Sequence, residues 1–175
     1  MITSHSVRAH YLDASALVKL VADDPDELPG KDVLRQYYYS HASRYATSFC
    51  VTETFSAFKL KFLRGRITED QYIKYCRDFI RTVIGGNLEI IDEVPVLSPV
   101  VFKEAERLIQ KYKKEIDFID CFQIITLIYG KNNFMVADSK SILITADRAL
   151  AKGRKTLRFG NARASPRRSD QAGQG

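Results

Sequence analysis

The chain alternates short strand-like runs with helices, and that alternation limits its fold more than any other feature. Arg8 to Leu12 reads as a strand ending at Asp13, after which Ala16, Leu17, Leu20 and Val21 recur at helical spacing. Pro25 and Pro29 close that helix, and Val33, Leu34, Tyr37 and Tyr38 mark a second, short one. Tyr45 to Thr47 is a short strand. A helix follows over about Phe49 to Arg64, with Val51, Phe55, Phe58 and Phe62 on one stripe. Gly65 ends it, and Thr68 with Gln71 has the pattern of a capping box. The helix this opens carries Tyr72, Cys76, Phe79 and Val83, and Leu88 to Ile91 is the next strand. Ser98-Pro99 is an N-cap followed by a first-turn proline. The helix it opens carries Val101, Ala105, Leu108 and Tyr112, and another runs from about Asp117 to Tyr129. Ser141 to Thr145 and Thr156 to Phe159 read as the last strands. Strands separated by helices require parallel crossovers, so the expected fold is α/β, a three-layer α/β/α sandwich around a mostly parallel sheet.

One domain, residues 1–160, accounts for this pattern. Asn161 to Gly175 has almost no large apolar side chains and is expected to be a disordered basic tail. The three cysteines have no paired spacing, which argues against a disulfide framework and against zinc. No signal-peptide pattern precedes the first strand, and no apolar run approaches a membrane span. The expectation is therefore a cytoplasmic protein. Its formal charge of +6 is unevenly spread: eight Lys or Arg and no acid lie between Arg148 and Arg168. Lys59, Lys61, Arg64 and Arg66 form a second cluster. Such stretches attract polyanions, although a solvated surface has the same composition.

In a doubly wound sheet, chemistry gathers beyond the carboxyl ends of the strands. Among 21 acids, that rule selects Asp13 after the first strand and Asp147 after the strand at Ser141 to Thr145. Each also suits a helix N-cap. Glu53 lies on a helix that is apolar on two sides, the second side carrying Phe49, Ala57 and Leu60, so the helix is expected to be buried between layers. A glutamate there needs a metal or a cationic partner. Asp117 and Asp120 open a helix three residues apart and share a face. Asp120 is read as the inner acid and Asp117 as a cap or outer support. Oxygen-only ligands from distant segments favour Mg²⁺ or Mn²⁺, which activate water and stabilise a leaving oxygen in phosphodiester hydrolysis. His5, His10 and His41 stand beside none of these acids in a motif, so a Ser–His–Asp triad is unsupported. A phosphoaspartyl hydrolase would want Asp-x-Asp where this chain has Asp13-Ala14-Ser15.

Four segments, in order, carry a resemblance. They are Tyr11-Leu12-Asp13-Ala14-Ser15-Ala16-Leu17-Val18-Lys19-Leu20, Thr47-Ser48 with Glu53, Asp120-Cys121-Phe122-Gln123-Ile124 and Thr145-Ala146-Asp147-Arg148. Over roughly Ala9 to Gly160 the set resembles the PIN-domain nuclease family, and the small size resembles its VapC-type toxins. The resemblance implies Mg²⁺ or Mn²⁺ held by Asp13 and Asp120, with Glu53 and Asp147 completing the acidic cluster. Ser15 and Thr145 would orient carboxylates or waters. It further implies an endoribonuclease acting on RNA, neutralised by a cognate antitoxin protein, and commonly a homodimer. A nuclease of RNA processing without an antitoxin and a non-catalytic RNA-binding protein of the same fold are the alternatives. The chain departs from the pattern in lacking a further acid shortly after Asp147, and in the length of the stretch Lys131 to Lys140.

Overall fold

A computed structural model describes residues 9–40, 43–85, 88–113, 116–130 and 141–147. The chain runs β1 (His10–Leu12), α1 (Ala14–Val21), α2 (Lys31–Ser40), β2 (Arg44–Ala46), α3 (Ser48–Leu63), α4 (Glu69–Ile84), β3 (Glu89–Ile90), α5 (Pro99–Tyr112), α6 (Phe118–Tyr129) and β4 (Ile142–Ile144). The last strand read from the sequence, the stretch 131–140 and the tail lie outside the described residues.

The four strands form one sheet in the order β3-β2-β1-β4, and every pairing is parallel. Register fixes Tyr11 opposite Tyr45 on one side and Leu143 on the other. Strand side chains alternate between faces. Leu12, Ala46 and Ile144 join the core with α1 to α4, while Ala9, Tyr11, Tyr45 and Leu143 join the core with α5 and α6. The fold is thus a three-layer α/β/α sandwich. The chain winds outward from β1 through β2 to β3, then returns to place β4 on the far side of β1. The strand order reverses there, which opens a crevice at the carboxyl ends of β1 and β4.

Local chemistry sets the element ends. Thr68 and Gln71 form the expected reciprocal capping box at the start of α4. Ser98 occupies the N-cap of α5 but makes no side-chain cap bond, leaving Pro99 and the helical dihedrals to start that helix. Gly65 takes φ +65°, a left-handed conformation that suits glycine after a helix. The expectation that α3 is buried between layers fails on one side. Leu60 is 45% exposed and Ala57 lines an open cleft, because no layer of the described residues covers that face. Among the described residues, the first turn of α3 reaches the opposite core, where Phe49 meets Phe122 edge-on at 5.0 Å.

Candidate functional site

Asp13 follows β1 directly and caps α1. Its Oδ1 accepts the Ala16 amide at 2.8 Å, which satisfies one of the orphan donors of the helix. The Ser15 hydroxyl donates across both carboxylate oxygens, at 2.9 and 3.0 Å. Thr145, just beyond β4, donates to Oδ2 at 2.5 Å. The two hydroxyls also accept: Ser15 Oγ from the Ala146 and Asp147 amides at 2.8 and 3.0 Å, and Thr145 Oγ1 from the Asp147 amide at 2.9 Å. This network stitches the end of β4 to the start of α1 and fixes the position of Asp147. It occupies the crevice that the strand order creates.

Three more acids face the same place from other elements. Glu53 lies in the second turn of α3, whose N-cap Thr47 accepts the Cys50 amide. Asp117 and Asp120 form a reciprocal capping box at the start of α6: the Asp120 amide donates to Asp117 at 2.9 Å, and the Asp117 amide to Asp120 at 3.0 Å. Asp117 is exposed and Asp120 is half-buried. Asp13, Asp117 and Asp120 therefore each have a capping role whatever else they do.

Burial and mutual repulsion set the protonation of this group. Asp13 is 3% exposed, and that burial is the main reason its carboxyl rises to about 6; the charge of Asp120 adds to it. Hydrogen bonds from Thr145, Ala16 and Ser15 pull the other way. Glu53 rises to about 7, first through burial and then through the charges of Asp117, Asp120, Asp13 and Asp147. Asp120 is raised by burial, with Asp117 and Asp147 contributing and the Asp117 amide opposing. No cation is paired with Asp13, Glu53 or Asp120 among the described residues. The salt-bridge alternative for Glu53 thus has no partner there.

The donor set suits a hard divalent cation, being all carboxylate and hydroxyl oxygen. Three donors make four contacts to Asp13, two on each oxygen, and the Ser15 hydroxyl shares its single proton between them. The arrangement is not a closed cage, since no three His, Cys, Asp or Glu among the described residues stand as a ready-made metal group.

Two of these acids, Glu53 and Asp147, border an open cleft of about 450 Å³. Glu53 and Asp147 line it together with Ala14, Ser15 and Ala57, and its far wall is built from Lys19, Lys61, Asp26 and Glu27. Three of the four basic residues at and after the end of α3 are engaged among the described residues, and Arg64 is exposed. Lys61 is shared between Asp24 at 2.8 Å and Glu27 at 3.1 Å, Arg66 pairs with Asp26 at 3.4 Å, and Lys59 lies over the rings of Phe62 and Tyr72. Lys19, Asp24 and Glu27 are functional candidates that sequence reasoning missed. The acidic run Asp23 to Glu27 and the basic run of α3 are both visible in the sequence, but nothing in it says that they meet.

Comparison with known proteins adds a likeness of shape. No family model matches the chain, and no curated protein sequence matches it. The crystal structure of PAE2754 from Pyrobaculum aerophilum superposes with a TM-score of 0.53, over 84% of this chain and 85% of that one. The two are 14% identical. The likeness is one of fold. It supports the α/β/α architecture and leaves the chemistry to the site. Among the described residues, no helix is long and apolar enough to cross a membrane.

Proposed function

We propose that the protein is a metal-dependent endoribonuclease that hydrolyses RNA phosphodiester bonds at the carboxyl ends of β1 and β4. One observation carries the reading: Asp13, Glu53, Asp120 and Asp147, from four separate segments, act on one another's charge at the switch point of a parallel sheet, and among the described residues no cation pairs with the three most buried. A fold that only needed caps would have no reason to gather them, since caps serve their own helices. Buried like charges are costly unless a cation compensates.

In this reading Asp13 and Asp120 hold Mg²⁺ or Mn²⁺, which when bound activates water and neutralises charge at the phosphate. Ser15 and Thr145 fix the Asp13 carboxylate by donating to it, as outer partners of a metal site do. Glu53 and Asp147 complete the acidic rim of the cleft and orient water or the leaving oxygen. The ordered likeness to PIN-domain motifs supports the same chemistry, and the VapC-type assignment, with its antitoxin and homodimer, rests on that likeness alone. The test is cleavage of single-stranded and structured RNA by the purified protein in Mg²⁺, Mn²⁺ or EDTA. Cleavage that needs the divalent ion is expected, and full activity in excess chelator refutes the mechanism.

A further inference from the structure

The far wall of the cleft contains an anion site filled by one of the protein's own side chains. Glu27 bridges two lysines, with Oε1 at 3.1 Å from Lys61 and Oε2 at 3.5 Å from Lys19. All three side chains are 16% exposed and line the cleft shared with Glu53 and Asp147. Neither lysine depends on that carboxylate for its place. The Lys19 ammonium donates to the backbone carbonyls of Glu27 and Pro29 at 3.0 and 3.1 Å. Lys61 donates at 2.8 Å to Asp24, which is 3% exposed and has its second oxygen without a hydrogen-bond partner among the described residues. Two fixed ammonium groups thus converge on one carboxylate, and the carboxylate is the exchangeable member of the three. With Glu27 counted, Lys19, Lys61, Asp24 and Glu27 are neutral together; without it they carry one positive charge.

We propose that Lys19 and Lys61 form a phosphate subsite, and that the Glu27 carboxylate occupies it until a phosphate group displaces it. This deepens the nuclease reading and rests on it for placing the scissile phosphate among the acids; the subsite would then take a neighbouring phosphate of the same strand. A free phosphate ion offers the same chemistry. The geometry favours a strand, because Glu53 and Asp147 line the same cleft as the two lysines. Glu27 acts as a threshold: a ligand lacking a second phosphate leaves the lysines neutralised and gains nothing from them.

The decisive variant is Glu27→Gln, which keeps the size, removes the charge and leaves one acceptor oxygen where the carboxylate had two. Full-length wild type, E27Q, and E27Q combined with Lys19→Gln are titrated in EDTA with a short single-stranded RNA and, separately, with inorganic phosphate, following the backbone amide signals of Lys19 and Glu27 by NMR. E27Q is expected to tighten RNA binding about fivefold, since the competing ion pairs are partly exposed and individually weak. Its log–log salt slope should stay that of wild type, since the same phosphate contact forms once Glu27 is displaced. Adding K19Q should undo the tightening and flatten the slope by about 0.7. Tighter phosphate-ion binding with unchanged RNA binding assigns the site to a free phosphate instead of a strand. Unchanged or weaker binding of both ligands by E27Q, with an unaltered melting temperature, overturns the proposal. A drop in melting temperature together with weaker binding overturns it as well, and makes Glu27 a purely structural clamp. Because all binding is read in chelator, a failure of the nuclease reading shows separately, as absent cleavage in Mg²⁺ or Mn²⁺.

Discussion

Replacing Asp13 with Asn should make the metal-free protein more stable, against the usual outcome of altering a buried hydrogen-bonded residue. Burial raises the Asp13 carboxyl from 3.8 to about 6. A rise of that size corresponds to about 3 kcal/mol of cost for holding the charge in the folded state. Asn keeps the shape, caps a helix as well as Asp does, and carries no charge. Its amide cannot accept from Thr145 as the carboxylate does, which returns part of the gain. The net expectation is about 2 kcal/mol of added stability in EDTA at pH 8, or roughly 4–8 °C in Tm for a chain of this size. A carboxyl that titrates higher when folded keeps its proton longer there. Its contribution to stability is full below the unfolded value near 4 and is lost as pH rises through about 6. The difference between D13N and wild type should therefore vanish near pH 4 and reach its plateau by about pH 7. Thermal or urea unfolding of both proteins across pH 4–8 in EDTA measures it. Excess Mg²⁺ should narrow the gap by stabilising the wild type alone. A mutant less stable than wild type at pH 8, or a gap that does not change with pH, refutes the reasoning and leaves Asp13 as a cap.

Three further outcomes are expected. Asp120→Asn should lower RNA cleavage by at least about 100-fold, more than outer-partner changes produce, and Asp117→Asn should lower it less; kinetics in Mg²⁺ that reverse this order place the working acid at the exposed end of the capping box. Ser15→Ala removes the hydroxyl that joins Asp13 to the Ala146 and Asp147 amides, and should cost roughly 10–100-fold in metal affinity or activity; calorimetric Mn²⁺ affinity equal to wild type contradicts that role. Gly130→Ala should destabilise by about 1–3 kcal/mol, because the new Cβ would stand 2.2 Å from Glu93 Oε2 and 2.4 Å from the Thr126 carbonyl; a urea midpoint equal to wild type shows that Glu93 and the end of α6 yield freely.

Periodicity alone exposed most of the architecture. Helical stripes are long-wavelength signals that few substitutions erase, so α1 to α6 were all legible, with ends shifted by a residue or two. The parallel alternation followed from them. The acids of the site were legible because position in the topology selects them: Asp13 after β1 and Thr145 to Asp147 after β4 follow from where strands end. The burial of Glu53 was legible only in part, since hydrophobicity on both faces of α3 cannot distinguish a second packed layer from an open cleft floored by Ala57.

By itself the sequence determined which residues are apolar and at what period, and hence the helices, the strands and their parallel sense. It also determined that carboxylates close β1 and open α6, since a strand end and a helix cap are local facts. Only the tertiary structure decided which charges meet. Lys61 and Arg66 looked like a free basic edge, yet the loop after α1 folds back and neutralises them with Asp24, Glu27 and Asp26. The physical reason is range. Backbone propensity and side-chain periodicity act over a few residues, whereas Lys61 and Asp24 are 37 residues apart and are joined only because α3 packs on α1. The same holds for Thr145 and Asp13, 132 residues apart, which the reversal of strand order at β1 and β4 brings within one hydrogen bond.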